Sequence, residues 1–130
     1  IGSVSEAVAG LVSQVSAARG WVPATDVYTT DSEVVVLADL PGLLAENLKV
    51  DPTPMTITIT GVVEEEDRSE AVAYVQRGRA RGAFSKQILL PAEIRQSEVK
   101  AKLKRGVLEI RAPLAAVDKP DVKIIQEDEE

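Results

Sequence analysis

The side chains available for acid–base or metal chemistry are carboxylates, amines and guanidines, because the sequence contains neither histidine nor cysteine. A Ser-His-Asp triad, a cysteine nucleophile, a thiolate metal site and a disulfide are therefore excluded. The run Glu64-Glu65-Glu66-Asp67 could attract a cation, but such a run is more typical of a solvated charged face. No nucleotide-cradling G-x-x-x-x-G-K-[ST] motif occurs. We predict that the chain is not an enzyme and has no catalytic residue, cofactor or metal.

Composition and charge restrict the class of protein further. The 130 residues suffice for one domain with tails, and 45% of them are hydrophobic while only 3% are aromatic. An aliphatic, β-branched core favours strands. The net charge of −6 disfavours binding to nucleic acid, and no apolar run approaches the roughly 18 residues of a membrane span. We expect a cytoplasmic protein, and because the chain opens at Ile1 we expect its natural start to lie upstream.

Residues 1–20 have the pattern of an amphipathic helix. Their apolar side chains recur at a spacing of three and four on one face: Ile1, Val4, Val8, Leu11 and Val15. Gly20 is a plausible C-cap. Two interpretations remain open, namely packing of this face on the domain and contact with other subunits or with client proteins.

From Trp21 onward the hydrophobic period changes to two. The strand-like segments are the run Val34–Ala38, the alternations at Leu48 and Val50, at Met55, Ile57 and Ile59, at Val99, Ala101 and Leu103, and at Leu108, Ile110 and Ala112, and the stretch Phe84–Leu90. Pro41-Gly42 has the sequence of a type II turn, and Arg105-Gly106 that of a tight turn. Short strands with turn signals between them and no helical stretch predict a β-sandwich.

Two segments do not fit the strand pattern. Residues 62–81 form a charged excursion of about 20 residues, a length that is usually functional or mobile in a compact domain. Residues 114–130 are linker-like, with an apolar island at Val122-Lys123-Ile124-Ile125 before an acidic end.

Several motifs, in order, resemble those of bacterial small heat shock proteins. They are Ala38-Asp39-Leu40-Pro41-Gly42, Glu46–Val50, Gly82–Lys86 with Leu89-Leu90-Pro91, Ala101–Leu108 with the A-x-x-x-x-G-V-L signature, and the C-terminal V-x-I of Val122-Lys123-Ile124. The resemblance covers about residues 21–113 plus the tail motif. The A-x-x-x-x-G-V-L signature is the most specific of these motifs.

The resemblance implies an all-β, immunoglobulin-like α-crystallin sandwich. Residues 1–20 would be an N-terminal helical arm, 21–113 the α-crystallin domain with a dimerisation loop over 62–81, and 114–130 a C-terminal extension. In this family a strand of that loop enters the partner's sheet, and the matching dimer-interface residues are Val72, Tyr74, Val75 and Lys86. A solvated charged loop is the alternative.

The resemblance also implies a groove that binds the C-terminal motif of another subunit. The groove residues would be Leu48, Val50, Val99, Ala101 and Leu103, and the inserted residues Val122 and Ile124. The alternatives are ordinary core packing for the groove residues and an inert tail. The N-terminal residues Val4, Val8, Leu11 and Val15 would contact clients or other subunits.

Three residues depart from the family pattern. Lys86 stands where Arg is usual, and lysine lacks the planar fork that pairs a carboxylate bidentately. Gly78 stands where Glu is frequent. Arg105 stands where Asn or Asp is frequent, although Gly106 can supply a left-handed turn geometry.

The function implied is that of an ATP-independent chaperone, a holdase that binds unfolding proteins as a dynamic homo-oligomer of swapped dimers, with no nucleic-acid partner and no membrane span. The second hypothesis is a co-chaperone of the CS-domain type on the same sandwich, generally monomeric. A carboxylate-based hydrolase is a third and much weaker one.

Overall fold

The computed structural model describes residues 21–64, 72–115 and 122–128. The helix predicted over residues 1–20, including Val4, Val8, Leu11 and Val15, lies outside the described residues.

Seven antiparallel strands make up the described part of the chain. They are β1 Thr25–Thr29, β2 Glu33–Asp39, β3 Leu48–Pro52, β4 Thr56–Val63, β5 Gly82–Leu89, β6 Lys100–Lys104 and β7 Val107–Pro113. Short 3₁₀ turns at Ala45–Asn47 and Gln96–Glu98 precede β3 and β6. Among the described residues, no helix has the length and apolar character that crossing a membrane requires.

The strands form two sheets, one with the order β1-β2-β7-β6 and one with the order β3-β4-β5. Alternate residues of each strand face the space between the sheets, as Val34, Val36 and Ala38 do in β2. The predicted all-β sandwich is confirmed. Its core is almost entirely aliphatic, and Phe84 is the aromatic side chain buried in it.

Two turns have the geometry that their sequences indicate. Gly42 has φ of 73° and the Leu43 amide donates to the Leu40 carbonyl at 3.4 Å, which is a type II turn. Between β6 and β7, both Arg105 (φ 54°) and Gly106 (φ 77°) are left-handed. A two-residue hairpin with positive φ at both positions is a type I′ turn. The sequence analysis expected a left-handed conformation at Gly106 only, whereas Arg105 adopts it as well.

Contacts near the start of the domain fix how the two sheets are stacked. Lys86 of β5 donates from Nζ to the Thr25 Oγ1 at 2.7 Å and to the Pro23 carbonyl at 3.3 Å. Trp21 Nε1 donates to the Gly82 carbonyl at 3.2 Å. Since β5 therefore lies against the β1 edge, the opposite edge strands, β3 and β6, flank the other side of the sandwich.

The structure departs from the sequence prediction in four places. Met55 precedes β4 and is exposed, because it lies in the turn that reverses the chain after β3. β4 continues through Val62 and Val63, two residues that the sequence pattern assigns to the excursion. β1 is absent from the sequence prediction. Residues 72–75, which have strand character, form no strand within this single chain.

An ion-pair network covers the outer face of the four-stranded sheet. Arg111 donates to Glu33 and to Glu109, both at 3.0 Å, and Lys102 lies 3.2 Å from Glu109. Val35, directly across from Arg111 on β2, is fully buried although it faces away from the core. The network thus shields apolar surface on a face that would otherwise meet water.

Candidate functional site

The predicted groove residues lie on the two edge strands β3 and β6 or next to them. Leu48 and Val50 pair with Gly61 and Ile59, which places them on the inner face of their sheet. Four of the five predicted groove residues are partly buried and pack against the core: Leu48, Val50, Val99 and Leu103. Partly buried aliphatic surface is therefore present on or beside both edge strands.

Ala101 differs from the other four groove residues. It lies on β6 opposite Ile110 but is exposed. The prediction that Ala101 helps to bind the tail remains a prediction. Its exposure leaves room beside it for a branched side chain from elsewhere.

The C-terminal motif lies apart from the core of its own chain. Val122, Ile124 and Ile125 are 77%, 90% and 76% exposed. Consecutive side chains of an extended segment point to opposite sides, so Val122 and Ile124 share one side and Ile125 takes the other. The motif thus presents two branched side chains that are not buried within the single chain.

Backbone hydrogen bonds hold the first residues of the C-terminal extension against the domain. The Leu114 amide donates to the Ser32 carbonyl and the Ala115 amide to the Glu93 carbonyl, both at 2.9 Å. Leu114 also pairs with Ile94 as an isolated bridge. These bonds fix the position from which the extension starts.

The predicted dimer residues fall into two groups. Val72, Tyr74 and Val75 are exposed and belong to no strand in the described chain, and the Arg77 guanidinium lies 4.5 Å from the Tyr74 ring centre. Lys86 is instead engaged within its own chain, where it ties β5 to Thr25. Sequence reasoning could not pair Lys86 with Thr25, since 61 residues separate them.

β1 is the strand that the sequence analysis missed. Among the described strands it pairs with β2 alone, at the end of the four-stranded sheet. Its residues are mostly exposed, so no burial period marks it in the sequence. The stretch Val27-Tyr28-Thr29, with its β-branched and aromatic side chains, is the signal that could have identified it.

The described residues offer no metal site, since no group of three or more carboxylates there could hold an ion. A shallow pocket of about 500 Å³ lies beside the start of the extension, lined by residues such as Asp31, Glu93 and Arg95. It brings together no set of catalytic side chains. The features available for function in the described ranges are therefore two sheet edges, the half-buried aliphatic side chains along β3 and β6, and an exposed tail.

Comparison with known proteins agrees with this architecture. The Hsp20/alpha crystallin family matches residues 26–127. A 17.5 kDa class I heat shock protein of Glycine max is 36% identical over 78% of this chain and 66% of its own length. Small heat shock protein C2 of Rickettsia felis is 31% identical over 75% of this chain and 64% of its own length. The chain thus spans just under two thirds of the length of these relatives.

Solved structures give the same result. Heat shock protein 16.0 of Schizosaccharomyces pombe superposes with a TM-score of 0.64 at 30% identity, covering 84% of this chain and 99% of that one. A small heat-shock protein from Xylella fastidiosa, described as having a distinct high order structure, superposes with a TM-score of 0.67 at 26% identity, covering 82% and 98%. On its fold, its motifs and these matches, the chain belongs to the Hsp20/alpha crystallin family of small heat shock proteins.

Proposed function

We propose that this chain is an ATP-independent holdase that binds unfolding proteins and prevents their aggregation, acting in the cytoplasm as a dynamic oligomer built from dimers. One observation carries the proposal. The same chain has half-buried aliphatic side chains on or beside the edge strands β3 and β6, and an exposed V-x-I segment whose branched side chains are not buried against them. If these aliphatic side chains line a groove, the V-x-I segment of one subunit can fill the groove of another.

The energetics favour a reversible contact. Burying Val122 and Ile124 would contribute about 3–6 kcal/mol in total. Ordering the tail and losing translational freedom offset several kcal/mol of that gain. A single contact is therefore weak, whereas many contacts within one oligomer hold together through effective concentration. Warming would release individual tails and expose the grooves to clients.

The dimer would form by strand addition. Within the described residues, β1 pairs only with β2, and the segment 72–75 has strand character but pairs with no strand. Backbone hydrogen bonds between this segment and the β1 edge of a second subunit would supply affinity without demanding particular side chains. The Lys86 bonds to Thr25 and to Pro23 would hold the accepting strand in position.

The names of the relatives support a role in heat stress, since several are heat shock proteins. The competing proposal is a co-chaperone that uses the same sandwich as a monomer. The half-buried aliphatic side chains along β3 and β6 and the exposed tail argue against it. Light scattering coupled to size-exclusion chromatography separates the two proposals, because a monomer at micromolar concentration would favour the co-chaperone.

The direct test heats an aggregation-prone enzyme, such as citrate synthase, with and without this protein and without nucleotide. We expect strong suppression of light scattering at one subunit per client subunit. Ovalbumin at the same mass concentration is the control for crowding and surface effects. Unchanged scattering at equimolar or higher ratio would exclude the holdase.

A further inference from the structure

The strand that borders the groove exposes a row of positive charge. On β6, Lys100, Lys102 and Lys104, which we name the lysine row, alternate with the groove residues Ala101 and Leu103 and are exposed. Lys102 has a partner in Glu109, yet its side chain remains 70% exposed. Within the described ranges, Lys100 and Lys104 form no ion pair. This edge is therefore basic in a protein whose net charge is −6.

The segment that follows the V-x-I motif has the opposite charge. Glu127 and Asp128 come three and four residues after Ile124, and both are exposed. An extended chain rises about 3.3 Å per residue, so Glu127 would lie about 10 Å beyond Ile124. The lysine row itself spans about 13 Å on the same scale.

We propose that the lysine row is the docking surface for the acidic end of another subunit's extension, so that ion pairs to Glu127 and Asp128 add to the insertion of Val122 and Ile124. This inference rests on the proposed function, because it needs the tail to occupy a neighbour's groove. The occupant is a second copy of this chain, since Val122 and Ile124 are exposed and therefore not buried in a groove of their own chain.

The proposal makes the oligomer sensitive to salt. Exposed ion pairs are worth a few tenths to one kcal/mol each and are screened by added salt, whereas the burial of Val122 and Ile124 is not weakened by it. A few such pairs per tail correspond to a change of about three- to tenfold in the concentration at which the oligomer dissociates.

A different role for the lysine row is to keep an open sheet edge from pairing with other chains, since edge lysines have that effect. In that case, changing the charges of Glu127 and Asp128 would not alter the effect of changing the lysine row. The two roles separate in a charge-exchange experiment on the full chain.

The first variant is Lys100→Glu with Lys104→Glu, the second is Glu127→Lys with Asp128→Lys, and the third combines all four changes. The first makes the net charge more negative and the second makes it less negative, so an effect of net charge alone would move the dissociation in opposite directions. Pairing predicts that both variants dissociate at about three- to tenfold higher concentration and that the combination restores the wild-type value.

Sedimentation velocity over a range of protein concentrations measures the dissociation, at low salt and at about 0.5 M NaCl. At the higher salt the Debye length is only a few Å, so exposed ion pairs are largely screened. Opposite shifts of the two charge variants, no rescue in the combination, or a wild type indifferent to salt would overturn the docking surface. The proposed function would survive those results if Val122→Ala with Ile124→Ala still dissociated the oligomer. A wild-type protein that is monomeric throughout would overturn both.

Discussion

The ring of Phe84 lies directly over the backbone of Gly61, its partner across β4 and β5. A Cβ atom on Gly61 would come within 2.7 Å of the Phe84 Cε1 and Cζ atoms and 3.0 Å of the Asn47 carbonyl oxygen. Real Cβ atoms do not approach a ring so closely, so the buried aromatic side chain occupies space that only glycine leaves open. Glycine at position 61 therefore lets the Phe84 ring pack against the backbone of β4 within the core.

Gly61→Ala should therefore destabilise the protein by about 1–3 kcal/mol, because the ring or the backbone must move in a closely packed core. The free energy of unfolding in urea, measured at fixed protein concentration, checks this. Gly78→Ala is the matched control, since its nearest neighbour is the Gln76 Nε2 at 3.8 Å. Equal stability of the two variants would contradict the steric explanation.

Arg105 occupies a left-handed backbone position without being glycine or asparagine. Asn tolerates this geometry better than a long side chain does. Arg105→Asn should stabilise the protein by up to about 1 kcal/mol, and Arg105→Val should destabilise it because branching at Cβ opposes positive φ. Urea unfolding of both variants tests the ordering, and a valine variant as stable as the asparagine variant would refute it.

The carboxyl group of Glu109 should make stability depend on pH. Its hydrogen bond with Lys102 and the charge of Arg111 lower the pKa of Glu109 against the opposing effect of desolvation. A carboxyl whose folded-state pKa is depressed contributes stability above its unfolded value, about 4.3, and that contribution is lost as pH falls through the lower folded value.

Glu109→Gln should consequently lower the urea midpoint at pH 7, and the difference from wild type should shrink as the solution is acidified below about pH 4. Gln87→Glu, on the exposed outer face of β5, changes charge without entering the network and serves as the control. A difference that stays constant over the acid range would rule out this linkage.

The V-x-I motif is tested by Val122→Ala combined with Ile124→Ala. Losing both branched side chains should shrink the oligomer towards dimers, because the remaining contact no longer offsets the cost of ordering the tail. Light scattering after size-exclusion chromatography gives the mass. Ile125→Ala is the matched control, since Ile125 points to the other side of the extended segment and should leave the size unchanged.

The dimerisation segment is tested by Tyr74→Pro with Val75→Pro. Two consecutive prolines remove the backbone donors on both sides of the segment, so the proposed pairing with β1 of a partner cannot form. We expect dimers to dissociate to monomers by sedimentation, with the far-ultraviolet circular dichroism of the sandwich retained. Gly78→Pro is the control outside the segment, and a dimer that persists in the double variant would exclude strand addition there.

How far the sequence determines the fold differs from strand to strand. β2, β4 and β7 could be predicted because they carry buried residues at regular intervals, such as Ile57 and Ile59. β1 is harder to predict, because an edge strand with most side chains in solvent has no burial period and only its β-branched and aromatic composition marks it. Leu48 and Leu103 lie on the edge strands of different sheets. Assigning both to one groove required the family resemblance, since nothing local tells which edges of two sheets meet.

The turn after β6 also shows that sequence alone does not determine the backbone conformation of every residue. Gly106 is an evident left-handed residue, whereas the positive φ of Arg105 follows from the two-residue length of the hairpin and becomes clear only with the pairing of Lys104 and Val107. The segment 72–75 is a different case, because the pairing proposed for it would form between two chains and not within one.

Trp21 is the sole tryptophan in the sequence. Its ring lies 4.8 Å from that of Phe84 and is tilted by 53°, while its indole nitrogen is hydrogen-bonded to the residue where β5 begins. Tryptophan fluorescence, excited selectively at the red edge of protein absorption, therefore reports on one contact, the joint between Trp21 and the strand β5. The molecule carries its own optical probe for movement at that joint, and no label is needed to follow it during heating.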